Sequence, residues 1–538
     1  MSLILSPTRN SNEPCHGKIS LNPSKLLMKE NFTASIMASV DELVANSMSI
    51  NSRLPAQLEK ALERNIVLRI GWTTSGEPVP KEGELGLCPN LPDGSKVRSL
   101  GYLGSFTAAF GNGGTFTHQG ETGSFLGAGN NGNKITCERS AGDCVGYAQK
   151  SGIITVLDGV GNDAGSKMTG GVLVVRGSAG LRIGGGMLGG DIIIHGDVGS
   201  DPGAGMRGGR IIINGRCPPP PPGVNLRPLE KSEVKKINDL LGDDDLHIPA
   251  DAVCLESDGT HVVAKMAVCT EDFSGISIVP ATTNHNPEYS TCDTVTLIGE
   301  EGSLALPIPL LPYIPEGVTD DLFHPCLVGK TPRDCDIVLI DSANFSDAAN
   351  LVANCAGFAI DLDSLPRLDG AALDGLLVAL RCIAKSDAKV MLVRSVTQTN
   401  SIHHEINHHG CDVGISVLDD GSGLSAPASL PAIGKSASGL ENGRLASIWL
   451  PWSATSEDMI IACCSNISFI VCHAPDENLS GWLSQVSADL SAHLNRIGLN
   501  SIDALTRSNL RACDQDTAAV SGLRLAGYDR PLPHWFAR

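Results

Sequence analysis

A glycine-rich repeat fills residues 161–215, which read GNDAGSKMTGGVLVVRGSAGLRIGGGMLGGDIIIHGDVGSDPGAGMRGGRIIING. The same spacing of 19 residues extends back to Gly104, and glycine occupies three positions of the repeat in phase. The three glycine series are Gly104, Gly123, Gly142, Gly161, Gly180 and Gly199; Gly127, Gly146, Gly165, Gly184 and Gly203; and Gly114, Gly152, Gly171, Gly190 and Gly209. Ala108 takes the first position of the second series, and Asn133 the second position of the third. A fixed repeat of about 20 residues is typical of solenoid proteins.

Each repeat also carries one short β-branched segment, such as Val172–Val175, Ile192–Ile194 or Ile211–Ile213, and shows no helical periodicity. Strands of successive repeats can pair in parallel, while glycine permits the tight corners between them. The pattern therefore predicts a right-handed parallel β-helix of about six 19-residue coils, with alternate strand side chains inside. A flexible glycine-rich linker is the alternative, but linkers do not keep three series in phase.

The tandem pattern GxxxGxxMxGGxIxIxG, from about Gly104 to Val224, resembles a known family. It is similar to the β-helix at the C-terminus of the glutamate synthase large subunit, and also to the scaffold subunit of formylmethanofuran dehydrogenase. The resemblance implies a structural element that packs on catalytic domains and carries no catalytic side chain of its own.

Charge and cysteine usage exclude several classes of protein. Lys and Arg number 40 and Asp and Glu 59, a formal net charge of −19, which argues against a nucleic-acid surface. No window holds eighteen uninterrupted apolar residues, and the N-terminus lacks the pattern of a signal peptide, so we expect no membrane contact. Seventeen cysteines without a CxxC pair predict reduced thiols in a cytoplasmic protein.

We divide the chain into four regions. Residues 1–100 are predicted to be helical or irregular, and residues 101–224 form the predicted β-helix. The proline run Pro218–Pro222 ends the repeats, because proline cannot donate to a further ladder. Residues 225–330 are predicted to hold a linker helix, Leu229–Leu241, and a β-rich segment, and residues 331–538 form an α/β region.

In the α/β region buried strand runs alternate with helical segments, which indicates a parallel sheet or a barrel. The runs include Ile337–Ile340, Phe358–Leu362, Lys389–Val393 and Val413–Leu418. Because the region is shorter than the roughly 250 residues of a complete eight-fold barrel, we predict a partial TIM-barrel-like domain.

The stretch GCDVGISVLDDGSGLSAP, Gly410–Pro427, resembles a segment of the FMN-binding barrel of glutamate synthase. A second segment, Leu494–Leu510, is similar to the closing helices of that barrel. The resemblance implies a remnant of the FMN phosphate site at Asp420, Gly421, Ser422 and Gly423. A tight turn that binds nothing is the alternative reading of the same four residues.

The region departs from the glutamate synthase pattern at residues that the chemistry needs. Met391 stands where the family has a flavin-contacting lysine, and Cys472 matches only one of the three cysteine ligands of the family's iron–sulfur cluster. A cluster without its thiolates does not assemble, so we expect no iron–sulfur cluster. The missing lysine also argues against bound FMN, so we assign no cofactor and no catalytic residue.

One further motif is weighed and set aside. His404-Glu405-Ile406-Asn407-His408 fits the zinc-hydrolase pattern H-E-x-x-H. No third ligand is indicated, so we predict a surface helix and no metal site.

The sequence thus predicts a component of a glutamate-synthase-type complex in nitrogen and glutamate metabolism, with other protein subunits as partners. Its β-helix would be the scaffold, and its flavin domain would have lost key residues. Two alternatives stay open: a scaffold subunit of one-carbon metabolism, similar to that of formylmethanofuran dehydrogenase, and an active FMN oxidoreductase.

Overall fold

The computed structural model describes residues 23–71, 83–242, 244–260, 272–280, 296–298, 304–318, 322–365, 367–368, 370–419, 423–441, 443–475 and 478–528. The strands of this part are β1 Leu68–Ile70, β2 Lys96–Leu100, β3 Thr115–Gln119, β4 Asn131–Cys137, β5 Ser151–Val156, β6 Thr169–Val175, β7 Gly189–Ile194, β8 Arg210–Ile213, β9 Val224–Pro228, β10 Val253–Ser257, β11 Ile276–Ile278, β12 Thr296–Ile298, β13 Leu304–Leu306, β14 Leu310–Ile314, β15 Leu327–Val328, β16 Ile337–Ile340, β17 Gly357–Asp361, β18 Lys389–Ser395, β19 Val413–Val417, β20 Leu445–Leu450, β21 Phe469–His473 and β22 Leu510–Ala512. The α-helices are α1 Pro23–Glu63, α2 Lys231–Leu241, α3 Ala348–Val352, α4 Gly370–Ile383, α5 Thr399–His409, α6 Ala426–Ala437, α7 Ser456–Cys464, α8 Leu479–Arg496 and α9 Gln515–Ser521.

The repeats form most of a ten-stranded sheet with the order β1 to β8, then β10 and β9. Strands β1 to β8 are parallel, and from β2 onward the register advances by 19 residues per strand, so that Ile154 pairs with Leu173, Leu173 with Ile192 and Ile192 with Ile211. At the far end β10 is antiparallel to both β8 and β9. The sequence period is therefore the step from one strand to the next.

A second column of parallel bridges runs beside this sheet, again with a step of 19 residues. It joins Glu84, Leu103, Thr122, Ala141, Val160, Ala179 and Val198 in series. After each bridge, backbone N–H groups donate in turn to the next and to the previous repeat. The Phe125 N–H donates to the Asp143 carbonyl of the next repeat at 2.8 Å, and the Gly127 N–H donates to the Thr107 carbonyl of the previous repeat at 2.9 Å. Each repeat is thus hydrogen-bonded to the repeats on both sides.

Apolar side chains fill one face of the repeat sheet along its length, and the other face at its far end. Inward residues such as Ile154 and Ile192 are fully buried, and the same core includes Leu54 of α1 next to the first strand. The opposite face, at Ile193 among others, is covered by α2 and the segment that follows it, through Ile237. The sheet is therefore buried on both sides at β6 to β8, whereas the second face of β2, at Lys96 and Arg98, is exposed.

The C-terminal half contains a closed barrel of eight parallel strands, β14 to β21, in chain order. β21 pairs with β14, with Ile470 opposite Leu310, which closes the ring. The expectation of a partial barrel was therefore wrong. The first two strands precede residue 331, and their signal is weak, because β14 lies among prolines and β15 has only 2 residues. Two short antiparallel pairs, β11 with β22 and β12 with β13, lie outside the barrel.

The barrel and the repeats share one apolar core. Phe345 of the barrel lies between repeat side chains, with ring centroids 5.3 Å from Phe110 and 5.2 Å from Tyr147. Helix α4 approaches the repeat backbone so closely that a Cβ on Gly375 would lie 2.8 Å from the Ser105 carbonyl oxygen. Close approach of this kind admits only glycine.

Ion pairs border this shared core. Arg367, between β17 and α4, pairs with Asp143 at 2.8 Å and also with Asp163, one repeat further on. Lys150 of the repeats pairs with Asp347, which precedes α3. The two halves of the molecule are therefore packed against each other through apolar and charged contacts together.

Among the helices that the structure describes, none combines the length and the hydropathy needed to cross a membrane. The cysteines in the same part of the chain are free thiols.

Candidate site at the mouth of the barrel

Strand alternation places one ring of side chains at the carboxyl ends of the barrel strands. Residues two apart in a strand face the same side, so Asp361 follows Ala359 inward, and Val393 follows Met391. The buried interior layer includes Ala359, Met391 and Val413. The ring above it consists of Tyr313, Leu339, Asp361, Val393, Val417, Trp449 and His473.

This ring opens into a cavity of ≈ 350 Å³. Its lining residues are Leu339, Asp361, Val393, Val417, Leu418, Asp419, Trp449, Pro451 and His473. The volume lies in the range of small-molecule sites, about 300 to 1,000 Å³. The carboxyl end of the strands is also where barrels of this kind carry their binding groups. We call this cavity, together with the residues that line it, the mouth of the barrel. It is the candidate site.

Two carboxylates dominate the charge of the mouth. Asp361 ends β17, and its Oδ1 accepts the N–H groups of Asp363 at 3.1 Å and Ser364 at 3.3 Å. Burial raises the pKa of Asp361 above its ordinary value, although these hydrogen bonds act in the opposite direction. Asp419 follows β19, and its Oδ1 is buried without a hydrogen-bond partner among the described residues. No Lys or Arg is found among the described residues that line the cavity.

Aromatic rings form one wall of the mouth. Tyr313 packs edge-on against Trp449, with centroids 4.8 Å apart, and against His473, with centroids 5.0 Å apart. Burial raises the pKa of Tyr313, and so do the nearby carboxylates of Asp341 and Asp361, so the phenol stays neutral. Tyr313 therefore holds the two lining rings in place as an uncharged group.

The predicted phosphate remnant lies beside this cavity in sequence. Asp420, Gly421 and Ser422 lie outside the described residues. Gly423 is described, with φ +65°, in the connection from β19 to α6. The residue before the predicted group, Asp419, lines the cavity.

Sequence reasoning missed most of the mouth. Asp361, Asp419, Trp449 and His473 were not singled out, although Cys472, the neighbour of His473, was. A usable signal was present: Asp361 stands near the carboxyl end of the predicted run Phe358–Leu362, and Asp419 directly follows the predicted run Val413–Leu418. Once the strands close into a barrel, those ends converge.

The position of Met391 differs from what the glutamate synthase resemblance implied. Its side chain is fully buried in the interior layer of the barrel, between Ala359 and Val413 on the neighbouring strands. Val393, two residues further along β18, is the residue that reaches the cavity. Neither side chain can give a flavin or a phosphate a positive charge.

The described mouth does not fit FMN. A phosphate monoester carries close to two negative charges near neutral pH, and the described acidic groups of the cavity, Asp361 and Asp419, carry the same sign. Repulsion between like charges disfavours such a ligand in a partly buried site.

The other two sequence motifs lie away from the cavity. Cys472 accepts the N–H of Ala454 at 3.3 Å through its sulfur, and burial raises its thiol pKa to about 12. His404 and His408 are exposed on α5, while Glu405 pairs with Arg394 at 3.3 Å. Within the described residues, no group of three or more His, Cys, Asp and Glu side chains is placed to hold a metal ion.

Comparison with known proteins gives little beyond these observations. No family model and no curated protein matches the sequence. Among solved structures, a mandelate oxidase variant with benzaldehyde is 12% identical over 43% of this chain and 85% of its own, with a TM-score of 0.33. The same enzyme variant with a trifluoro-dihydroxypropanoic acid is 13% identical over the same shares, also with a TM-score of 0.33. Scores this low carry no argument about function.

Proposed function

We propose that this chain is a scaffold component of a glutamate-synthase-type complex in nitrogen and glutamate metabolism. The observation that carries the proposal is the shared core in which Phe345 of the barrel packs among Phe110 and Tyr147 of the repeats. A structural repeat packed on a barrel is the arrangement that the sequence resemblance implied.

The repeats are, in this proposal, a right-handed parallel β-helix. Three features support it: strands that step by 19 residues, a second ladder of bridges with the same step, and left-handed backbone at one position of each repeat. These left-handed residues are Phe106, Phe125, Cys144, Asp163, Arg182 and Asp201. A coil that turns at equivalent corners produces all three.

The barrel is, in this proposal, a relative of the glutamate synthase flavin domain that has lost its redox role. The buried Met391 and the acidic Asp361 support this reading, because neither can neutralise a bound flavin or its phosphate. Catalysis would belong to other subunits, which the two packed regions hold.

Affinity purification of the tagged chain from its native cells tests the assignment. We expect amidotransferase and flavoprotein partners, identified by mass spectrometry against a tag-only control. Gly375→Leu, which pushes α4 off the Ser105 carbonyl, should lose these partners, whereas Gly370→Leu should keep them, because the Cβ position of Gly370 has no neighbour within 4 Å. Amidohydrolase and formyltransferase partners would instead favour the scaffold of one-carbon metabolism, and a chain without partners would contradict both.

Absorbance of the purified chain tests the loss of flavin chemistry. We expect no flavin absorption band. A yellow protein with nearly one FMN per chain would overturn this part of the proposal and support the FMN oxidoreductase.

A further inference from the structure

The carboxylates of Asp361 and Asp419 give the described lining of the barrel mouth its negative charge. Asp361 and Asp419 line the cavity, and the charged groups that raise the pKa values of Asp361 and Tyr313 are further carboxylates, Asp363 and Asp341 among them. His473 is the remaining described titratable group of the lining, and it is exposed.

The walls between these carboxylates are apolar or aromatic. Leu339, Val393 and Val417 contribute aliphatic surface, and Trp449 contributes an indole ring held by Tyr313. Aromatic rings attract cations through their quadrupole, and Trp does so most strongly. The lining therefore combines negative charge with apolar surface that can contact a hydrocarbon group.

The carboxylates also lack counter-charges in the described structure. Oδ1 of Asp419 is buried and receives no hydrogen bond from a described residue. Asp361 makes no ion pair with a described Lys or Arg, although its burial opposes ionisation. A buried carboxylate oxygen without a partner costs free energy, and a bound cation would supply the missing interaction.

We propose that the barrel mouth binds a small organic cation, an ammonium group on a short apolar body, between the carboxylates of Asp361 and Asp419 and the ring of Trp449. The carboxylates attract the ammonium group, while the aliphatic wall and the indole contact the apolar body of the ligand. The site is a binding site that does not depend on the scaffold role proposed above.

Calorimetric titration of the full-length chain tests this site with a matched pair of probes. Choline carries a quaternary ammonium, and its carbon isostere dimethylbutanol has nearly the same shape without charge. At about pH 8, where carboxylates are ionised, we expect choline to bind at least tenfold more tightly than the alcohol. Equal binding of the two probes, or no choline binding with a Kd below about 1 mM, would overturn the proposal.

Variants locate the binding to the mouth. Asp361→Asn and Asp419→Asn keep the shape and remove one charge each, so each should weaken choline roughly tenfold or more. Trp449→Leu should weaken it roughly 2- to 30-fold through loss of the cation–π contact. Asp387→Asn is the control, because this exposed residue precedes β18 at the other end of the barrel.

Circular dichroism and a thermal melt of each variant separate loss of binding from loss of fold. A folded Asp361→Asn chain that binds choline as well as Asp387→Asn would contradict the proposal. Because partners are scored by affinity purification and the cation by titration, either proposal can fail while the other stands.

Discussion

The layer of the barrel in which Met391 lies determines which substitutions this position tolerates. It is fully buried, and its neighbours on adjacent strands are Ala359 and Val413. We expect Met391→Lys to lower the free energy of unfolding by about 3 to 5 kcal/mol, because the ammonium would be buried without a partner. Urea denaturation measures this change.

Two matched substitutions complete the test of this residue. Met391→Leu keeps the volume and should cost less than about 1.5 kcal/mol. Val393→Lys, two residues further along β18, places the ammonium in the cavity beside Asp361 and should be tolerated better. If Met391→Lys is as stable as Val393→Lys, then Met391 does not lie in the interior layer.

His403 makes the stability of the barrel depend on pH. Its Nδ1 lies 2.7 Å from the Ser436 hydroxyl, its Nε2 has no partner among the described residues, and burial lowers its pKa to about 4. The unfolded chain takes up this proton near the ordinary pKa of about 6.5, and the folded chain does so only near pH 4. Stability is therefore complete above about pH 6.5 and falls as the pH drops toward 4, by on the order of 3 kcal/mol.

Urea unfolding at about pH 7 and about pH 5 checks this dependence. His403→Gln should make the difference between the two conditions smaller, whereas His404→Gln, an exposed neighbour on the same helix, should leave it unchanged. Some difference will remain in both variants, because burial also lowers the pKa of His118 and His324. The interpretation fails if His403→Gln has the same pH difference as the unmodified chain.

At the scale of elements, helix α4 carries a glycine where helices usually gain from alanine. Gly→Ala inside a helix commonly stabilises by about 1 kcal/mol. At Gly375 the new methyl would lie 2.8 Å from the Ser105 carbonyl oxygen, so we expect Gly375→Ala to destabilise by about 1 to 3 kcal/mol. Thermal unfolding measures the shift, with Gly370→Ala, whose Cβ position is open, as the control.

The repeats were the elements best predicted from sequence. Every copy carries the same spacing, so the strand positions and their 19-residue register could be derived from the glycines and isoleucines alone. The backbone conformation at the corners between these strands could not be predicted from the sequence. Phe106, Phe125 and Cys144 adopt left-handed backbone, a conformation that costs a non-glycine residue roughly 1 to 2 kcal/mol. Hydrogen bonds to both neighbouring repeats offset that cost, and they exist only after stacking.

The barrel was predicted less well, because its closure depends on weak local signals. The strands from Ile337 onward follow buried runs that the sequence shows. Strand β15 spans only Leu327–Val328, and β14 contains Pro312, so neither had a clear pattern. The mouth was missed for the same reason: Asp361, Asp419 and Trp449 are far apart in the chain and meet only when the barrel closes.

At the scale of the whole molecule, the aromatic ring of Phe345 joins the barrel to the repeats. It is 1% exposed and contacts the rings of Phe106, Phe110 and Tyr147. Phe345→Ala should cost about 3 to 5 kcal/mol. Hydrogen exchange should rise in residues 103–148 of the repeats, which lose the packing of the barrel.

Phe469→Ala is the matched control, because Phe469 is equally buried but lies in the interior layer of the barrel. It should destabilise the chain by a similar amount without selectively raising exchange in residues 103–148. Equal exchange patterns in the two variants would mean that Phe345 does not hold the halves together.

The repeat sheet finishes in an antiparallel strand, β9, whose residues include Arg227 and Pro228. Arg227 is engaged by Glu233 and Glu256, both at 2.8 Å, and proline has no N–H to offer. An outer edge with an interrupted row of donors and a fixed charge is a poor template for further strands. This edge therefore disfavours pairing with a strand of a second copy, and with it the end-to-end stacking of repeat sheets from which fibrils grow.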